Sequence, residues 1–273
     1  MQVSLPCPQL RPFVRVFAQR ENAPNGLVII EPVPAQLEQI VEFDFGTPSE
    51  IWHPSGQVQY VKDVSVAGSQ TRFTAHMHLR AGVQAFGIFF CPTGFSQLFH
   101  VPMSELTNCV GEVEGSVKQS LRNLRDRLGE TASFEERVLI AETFLLKQVN
   151  GALAFDEIGF AANYIFKNRG AIRISELADK SSSGLRHFER KFLHATGATP
   201  KTFARIARFQ GALDTKLTQP NRSWLDIAHS FGYHDQMHMI HDFEKLGRGT
   251  PTKLISEIGD QRPPALVAES HVS

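Results

Sequence analysis

An internal repeat with a shift of about 50 residues constrains the fold of this chain more than any other feature. Leu177-Ala178 corresponds to Ile227-Ala228, and Thr199-Pro200 corresponds to Thr250-Pro251. Between these ends the aligned large apolar residues are Phe188 with Met239 and Phe192 with Phe243. In both copies a phenylalanine and a proline stand eight residues apart. The C-terminal third therefore contains two copies of one structural unit.

The spacing within each copy predicts a helix-turn-helix, in which two short helices cross steeply and need a small residue where their backbones meet. Ala178 and Ala228 occupy those positions. Gly232 supplies the turn of the second copy, whereas the first copy has Ser182 at the matching place. The second helix of each unit is held by its large apolar residues, which are Phe188, Phe192, Met239 and Phe243.

A linker helix is predicted between the two units. Thr199 is a suitable N-cap and Pro200 a suitable first helical residue. About 18 residues at 1.5 Å each would separate the units by roughly 27 Å, close to one turn of duplex DNA. Two recognition helices could then enter successive major grooves on one face.

These segments resemble the AraC/XylS family of transcriptional regulators. The motifs are I-S-E-L-A and F-E-R-K-F-x7-P in the first unit, and D-I-A-x3-G-Y-x-D-Q-x-H-x3-D-F-x7-P in the second. The resemblance covers residues 155–258. L-R-P-F-V near residue 10, V-A-G-S-Q-T-R at 66–72 and G-I-F-F-C-P-T-G at 87–94 are similar to the sensor half of one AraC subgroup. Two positions depart from the family, which has Gly at Arg248 and commonly Arg at His241.

The resemblance implies a homodimeric, effector-responsive regulator that binds double-stranded DNA, with RNA polymerase as a possible partner. It also implies which side chains point into the grooves. Arg reads guanine, Gln reads adenine, Glu accepts from cytosine, and apolar groups meet the thymine methyl. The alternative for each position is a solvated helix face. The residues are Arg186, Glu189 and Arg190 in the first unit, and Gln236, Met237, Ile240 and His241 in the second. Pro200, Pro251, Gly232 and Phe243 have structural roles.

The N-terminal half predicts a mostly-β domain. Short apolar runs at 27–30, 40–45 and 84–90 are separated by turn-forming residues, which is typical of strands in a cupin-like barrel or sandwich. Amphipathic patterns at 117–128 and from Ser133 predict trailing helices. The fold class is α+β with two domains: residues 1–150 for sensing and dimerisation, 151–260 for DNA binding, and a disordered tail at 261–273. Phe-rich strands and few charges at 84–99 favour an apolar effector pocket with a small number of polar groups.

The formal net charge of zero hides an asymmetry. Residues 1–150 carry about 12 basic and 15 acidic side chains, and 155–258 carry about 15 and 11, which makes the second half the candidate for DNA. No signal peptide or long apolar run is evident, so a cytoplasmic protein without membrane contact is expected. We predict no catalytic residues, cofactor or metal.

Three alternatives remain open. His234, His238 and His241 have the spacing of metal ligands on one helix face, and His76 and His78 alternate as on one face of a strand. The second pattern would suit a cupin-like metal-dependent enzyme fused to a DNA-binding domain. The three cysteines, Cys7, Cys91 and Cys109, could act in redox sensing.

Overall fold

The computed structural model describes residues 1–22, 25–61, 63–149, 157–172, 177 and 184–258. Two antiparallel sheets form its N-terminal part, one with strand order β1-β2-β9-β4-β7-β10 and one with order β3-β8-β5-β6. The strands are β1 Gln2–Ser4, β2 Val14–Glu21, β3 Ile29–Val33, β4 Gln39–Asp44, β5 Glu50–Trp52, β6 Val58–Tyr60, β7 Val64–Ala67, β8 Ala75–Leu79, β9 Gln84–Phe90 and β10 Val110–Gly111.

Side chains alternate between the two faces of the larger sheet, as the period of two along a strand requires. On β9, Phe86, Ile88 and Phe90 are buried in the apolar core of the domain. Ala85, Gly87 and Phe89 face the opposite way, toward a cavity beside the second sheet. One face of the sheet therefore builds the core and the other lines a cavity.

Three helices cover the core side of the larger sheet: α1 Gly94–Phe99, α2 Gly115–Gly129 and α3 Phe134–Val149. A short 3-10 helix, Met103–Glu105, lies between the first two. In α2 the predicted stripe is buried at Leu121, Leu124 and Leu128. At the start of α3, the Ser133 hydroxyl accepts a hydrogen bond from the Glu136 amide at 3.3 Å. The sequence patterns at 117–128 and from Ser133 are thus confirmed as helices.

The C-terminal part is helical over all its described elements. These are α4 Glu157–Lys167, α5 Leu185–Thr196, α6 Pro200–Thr218, α7 Trp224–Ser230, α8 Gln236–Gly247 and α9 Pro251–Ile258. The long helix α6 is central to their common core and buries most of its residues. Its two flanking groups of helices share this core because α6 presents apolar side chains around much of its circumference.

The two parts of the molecule are packed against each other. Leu37, which precedes β4, is buried in the core of the helical part. Its amide donates to the side-chain oxygen of Gln210 on α6 at 3.1 Å. The Ser69 hydroxyl donates to the Thr196 carbonyl at 2.7 Å, and the Ala35 amide donates to the Leu246 carbonyl at 2.8 Å. Contacts of this kind fix the position of α6 relative to the sheets.

The predicted α+β class is confirmed: β-rich residues with trailing helices precede an all-helical part with a linker helix. The proposed domain boundary near residue 150, Ala178 and the tail at 261–273 lie outside the described residues. Among the helices of the described ranges, none is long and apolar enough to cross a bilayer.

Candidate nucleic-acid interface

The first recognition helix, α5, is anchored by aromatic side chains. Phe188 and Phe192 are fully buried, and the ring of Phe192 meets Phe203 of α6 edge to face with centroids 5.3 Å apart. The helix ends at Gly197, which adopts φ +78. A side chain there would collide with the Thr107 hydroxyl and the Met103 carbonyl, so this corner requires glycine. The predicted roles of Phe188 and Phe192 in packing are consistent with this geometry.

The linker helix α6 begins as the sequence predicts. The Thr199 hydroxyl accepts a hydrogen bond from the Thr202 amide at 3.3 Å, and Pro200 occupies the first turn and is buried. The helix has 19 residues, which at 1.5 Å each makes it about 28 Å long. Its length therefore agrees with the predicted separation of the two units.

The second unit consists of α7, a turn and α8. Ala228 is completely buried where the two helices approach, and Gly232 forms the turn with φ +66. On α8, Met239 and Phe243 are fully buried, and the Phe243 ring contacts Phe209 of α6 with centroids 4.8 Å apart. The predicted arrangement of Ala228, Gly232, Met239 and Phe243 therefore forms a helix-turn-helix.

Polar anchors that the sequence analysis did not identify also position α8. Asp242 is 4% exposed, and its carboxylate accepts hydrogen bonds from the Arg205 guanidinium of α6 at 2.7 Å. Asp235 caps the helix by accepting from the His238 amide at 2.7 Å. This bond, followed by one from the His234 ring, lowers the pKa of Asp235. Asp235 could have been predicted, because an Asp just before a helix is a recognisable capping signal. The ion pair of Arg205 and Asp242 could not, because its residues are 37 positions apart and no local pattern connects them.

Six of the seven predicted DNA-contacting side chains are exposed, and the seventh, Ile240, is half-buried. On α5, the Arg190 guanidinium lies 2.9 Å from a ring nitrogen of His187. On α8, Met237 is 57% exposed. The exposed residues are Arg186, Glu189, Arg190, Gln236, Met237 and His241. Each recognition helix thus has an apolar side against α6 and a side available to a partner.

The histidines of the second unit have separate neighbours. The His234 ring lies 3.2 Å from the Asp235 carboxylate, and the His241 ring lies 3.6 Å from that of Glu244. The His238 ring packs edge to face on Tyr233. His76 and His78 of β8 pack on the rings of Phe73 and Trp52, respectively. Within the described ranges, no group of three or more His, Cys, Asp or Glu could hold a metal ion.

Arg248, which replaces the expected glycine, ends α8 in the left-handed conformation with φ +60. Its guanidinium lies 5.5 Å from the ring centroid of Phe73 in the N-terminal part. This cation–π contact offsets part of the cost of the unusual backbone conformation. The departure from the family pattern therefore preserves the corner and adds a contact between the two parts.

A cavity of about 210 Å³ lies between the two sheets. The Phe-rich segment 84–99, which predicts an apolar pocket with a small number of polar groups, supplies only part of the lining of this cavity. Of that segment only Ala85, Gly87 and Phe89 reach the cavity, because strand alternation turns the other phenylalanines of β9 into the core. Ionisable side chains from several strands line it as well: Arg15, Arg20, Glu31, Glu38, Glu42 and His53.

Two family models match the chain. One described as a helix-turn-helix domain matches residues 177–256, and one described as a domain of unknown function (DUF6597) matches residues 2–112. No curated protein matches at a significant level.

Solved structures with a similar fold include two of ToxT from Vibrio cholerae. The one bound to (E)-4-(8-methylnaphthalen-1-yl)but-3-enoic acid is 9% identical with a TM-score of 0.48, covering 89% of this chain and 98% of its own. A second, at 1.65 Å resolution, is also 9% identical with a TM-score of 0.48, covering 94% and 98%. The AraC-like transcriptional activator CuxR is 13% identical with a TM-score of 0.34, covering 80% and 86%. Similarities of this size do not indicate function.

The family match at 177–256 coincides with the part of the chain in which Ala228, Gly232 and the buried aromatic anchors form a helix-turn-helix. The linker helix and the second recognition helix follow the spacing of the AraC motifs. The chain therefore has an AraC-type helix-turn-helix domain in its C-terminal region and is a DNA-binding transcriptional regulator.

Proposed function

We propose that this regulator reads two successive major grooves, one with α5 and one with α8. The observation that carries the proposal is the linker helix, whose length of about 28 Å is close to one turn of duplex DNA. The exposed sides of the two helices supply the base contacts predicted from the sequence. Arg186, Glu189 and Arg190 act in one groove, and Gln236, Met237, Ile240 and His241 act in the other.

The cavity between the sheets is, in this proposal, the site of a small-molecule effector. Two connections link it to the DNA-binding helices. Glu38 lines the cavity, and its carboxylate accepts a hydrogen bond from the Gln210 amide on α6 at 2.7 Å. Ile258 of α9 also belongs to the lining. An occupant that moves Glu38 or Ile258 would change how the linker helix and α9 are held, and this is a physical route to regulation.

We further propose that the regulator is a cytoplasmic homodimer that acts through RNA polymerase and catalyses no reaction. Support for the dimer comes from α3, where Leu139 is 62% and Leu146 is 36% exposed. These residues are two turns apart on one face of the helix, which suits contact with a second copy.

The central test is binding of the full chain to genomic duplex fragments over a salt series, followed by sequencing of the retained DNA. Six or more phosphate contacts would lower the affinity by about 10³-fold between about 50 and 200 mM salt. The retained fragments should share a site with two half-sites about ten base pairs apart. Affinity that does not change with salt, or a site of a single short element, would contradict the proposal.

A further inference from the structure

We propose that the cavity of the N-terminal domain binds a small organic cation, an ammonium or amidinium group on a compact apolar body, with Glu42 receiving its charge. This inference rests on the proposed effector function and specifies the chemistry of that site. Its starting point is the set of ionisable groups in the lining, which includes the guanidinium groups of Arg15 and Arg20 and three carboxyls, those of Glu31, Glu38 and Glu42. The described lining thus has one more carboxyl than it has guanidinium groups.

Both arginines of the lining already contact carboxylates. Arg15 lies 2.7 Å from Glu38, and Arg20 lies 2.9 Å from Glu31. An anionic ligand would have to compete with these partners, which are held in a partly buried site where charge pairs are costly to break. Glu42 is the remaining carboxyl, and within the described part of the chain no side chain donates a hydrogen bond to it.

The position of Glu42 leaves room for a ligand beside an aromatic ring. Its partner across the sheet is Gly87, and the space over this glycine is taken by a neighbouring aromatic ring. A Cβ at Gly87 would lie 3.0 Å from the ring of Phe89, so this ring covers the glycine next to Glu42. A carboxylate next to an aromatic ring is a combination that recognises ammonium groups, because the ring face carries negative potential.

A second carboxyl lies next to Glu42, beside the cavity. Asp44 follows Glu42 by two residues on β4, on the same side of the strand, and its cross-strand partner Ala85 lines the cavity. Asp44 is 3% exposed, and both its side-chain oxygens are buried without a hydrogen-bond partner among the described residues. Burial and the neighbouring Glu42 raise the pKa of Asp44 to about 8. A bound cation would add to the positive charge of Arg20 and Arg125, which offsets the burial of these two carboxyls only in part.

The remaining lining sets the size and character of the ligand. Ala18, Ile51, Ala67, Met77 and Val61 offer apolar contacts. An enclosed cavity of about 150 Å³ can hold benzene, so the larger space here admits a benzyl-sized body with a charged head.

The test measures the thermal midpoint of the full chain with benzylammonium, benzyl alcohol and benzoate, over concentration series at constant ionic strength. Benzylammonium should raise the midpoint as its concentration increases, because it binds only the folded state. The two other probes should leave it unchanged. E42Q should weaken benzylammonium binding by about tenfold or more, because it removes a charge-assisted contact. Glu105→Gln, an exposed site outside the cavity, is the matched control.

Phe89→Leu provides an independent variant that keeps every carboxyl and should weaken benzylammonium binding about twofold to fivefold. A midpoint raised by benzoate or benzyl alcohol but not by benzylammonium would overturn the cation and keep the effector site. Equal benzylammonium binding by wild type and Glu42→Gln would also overturn the cation. No shift with any of the three probes would overturn both the cation-binding proposal and the proposal that the cavity is an effector site. The salt series tests the DNA-binding proposal independently of this outcome.

Discussion

The charged side chains of the two proposed sites, one in each domain, lie in opposite environments. In the N-terminal domain, Glu38 and Asp44 are buried and Arg15 is half-buried, around a cavity or beside it. In the C-terminal domain, Arg186 and Arg190 lie on the exposed side of α5, while the buried side is aromatic. The zero net charge of the chain is the sum of these two different arrangements.

The difference matters because water and salt screen exposed charges and have much less effect on buried ones. Exposed arginines suit a polyanion such as DNA, which binds through many contacts that depend on salt. Buried charges suit a small ligand, because each contact is strong and each unpaired group is costly. The two sites should therefore respond to different experimental variables, the DNA-binding side to salt and packing and the cavity to pH and ligand charge.

The largest expected effect comes from a change that removes no charge. Ala228→Leu should abolish DNA binding and cost about 1 to 3 kcal/mol of stability, because the crossing of α7 and α8 has no room for a larger side chain. Binding is measured by fluorescence anisotropy and stability by urea unfolding. Ala81→Leu in the turn before β9 is the control for added bulk. If Ala228→Leu kept full DNA affinity, exposed charges would be sufficient for DNA binding without an intact helix-turn-helix.

The two recognition helices should contribute separately. Arg190→Ala and Gln236→Ala should each cost about 1 to 3 kcal/mol of DNA-binding free energy and relax base preference at positions about ten base pairs apart. Affinity for a panel of single-base operator variants measures this. Arg72→Ala and Gln57→Ala, both exposed in the N-terminal domain, are matched controls. If both variants relaxed preference at the same base pair, the two-groove arrangement would be wrong.

The buried charges should respond to pH. The pKa of Asp44, about 8, is raised above its usual 3.8 by burial and by Glu42 and Asp63, and Arg125 opposes the shift. The proton on Asp44 therefore stabilises the fold at low pH, and this stability is lost as the pH rises through about 8.

Asp44→Asn is neutral at every pH, so its stability relative to wild type should rise by on the order of 2 kcal/mol between about pH 5 and pH 9. Urea unfolding across this range measures it. Asp126→Asn, at an exposed site, should show no such trend. Parallel pH profiles of wild type and Asp44→Asn would show that Asp44 is ionised in the folded protein.

The smallest effect concerns a cap on the DNA-binding side. Asp235→Ala should cost about 1 kcal/mol of stability, because the first turn of α8 loses the hydrogen bond to the His238 amide. No side-chain cap is present at the start of α5, where Gly184 has φ +75. Amide hydrogen exchange in the first turns of α8 and α5 compares the capped helix with the one that begins at a glycine. Equal protection in wild type and Asp235→Ala would mean that packing alone holds α8.

The sequence determined the helical half almost completely. The repeat, the cap at Thr199 and the small residue at Ala228 predict helices that are present wherever the structure describes the chain, while the first helix of the first unit lies outside the described residues. These signals work because helix formation depends on residues three or four apart. The seven base contacts remain predictions, since they depend on DNA.

Only the tertiary structure decided which face of β9 would line the cavity, and that the cavity would contain carboxyls from other strands. Alternating phenylalanines and small residues at 84–90 predict a strand, but the same pattern does not say which face meets the helices. The contacts of Gln210 with Glu38, of Arg205 with Asp242 and of Arg248 with Phe73 join residues far apart in the chain. No local pattern encodes such pairs, because they arise only when separately formed elements pack together.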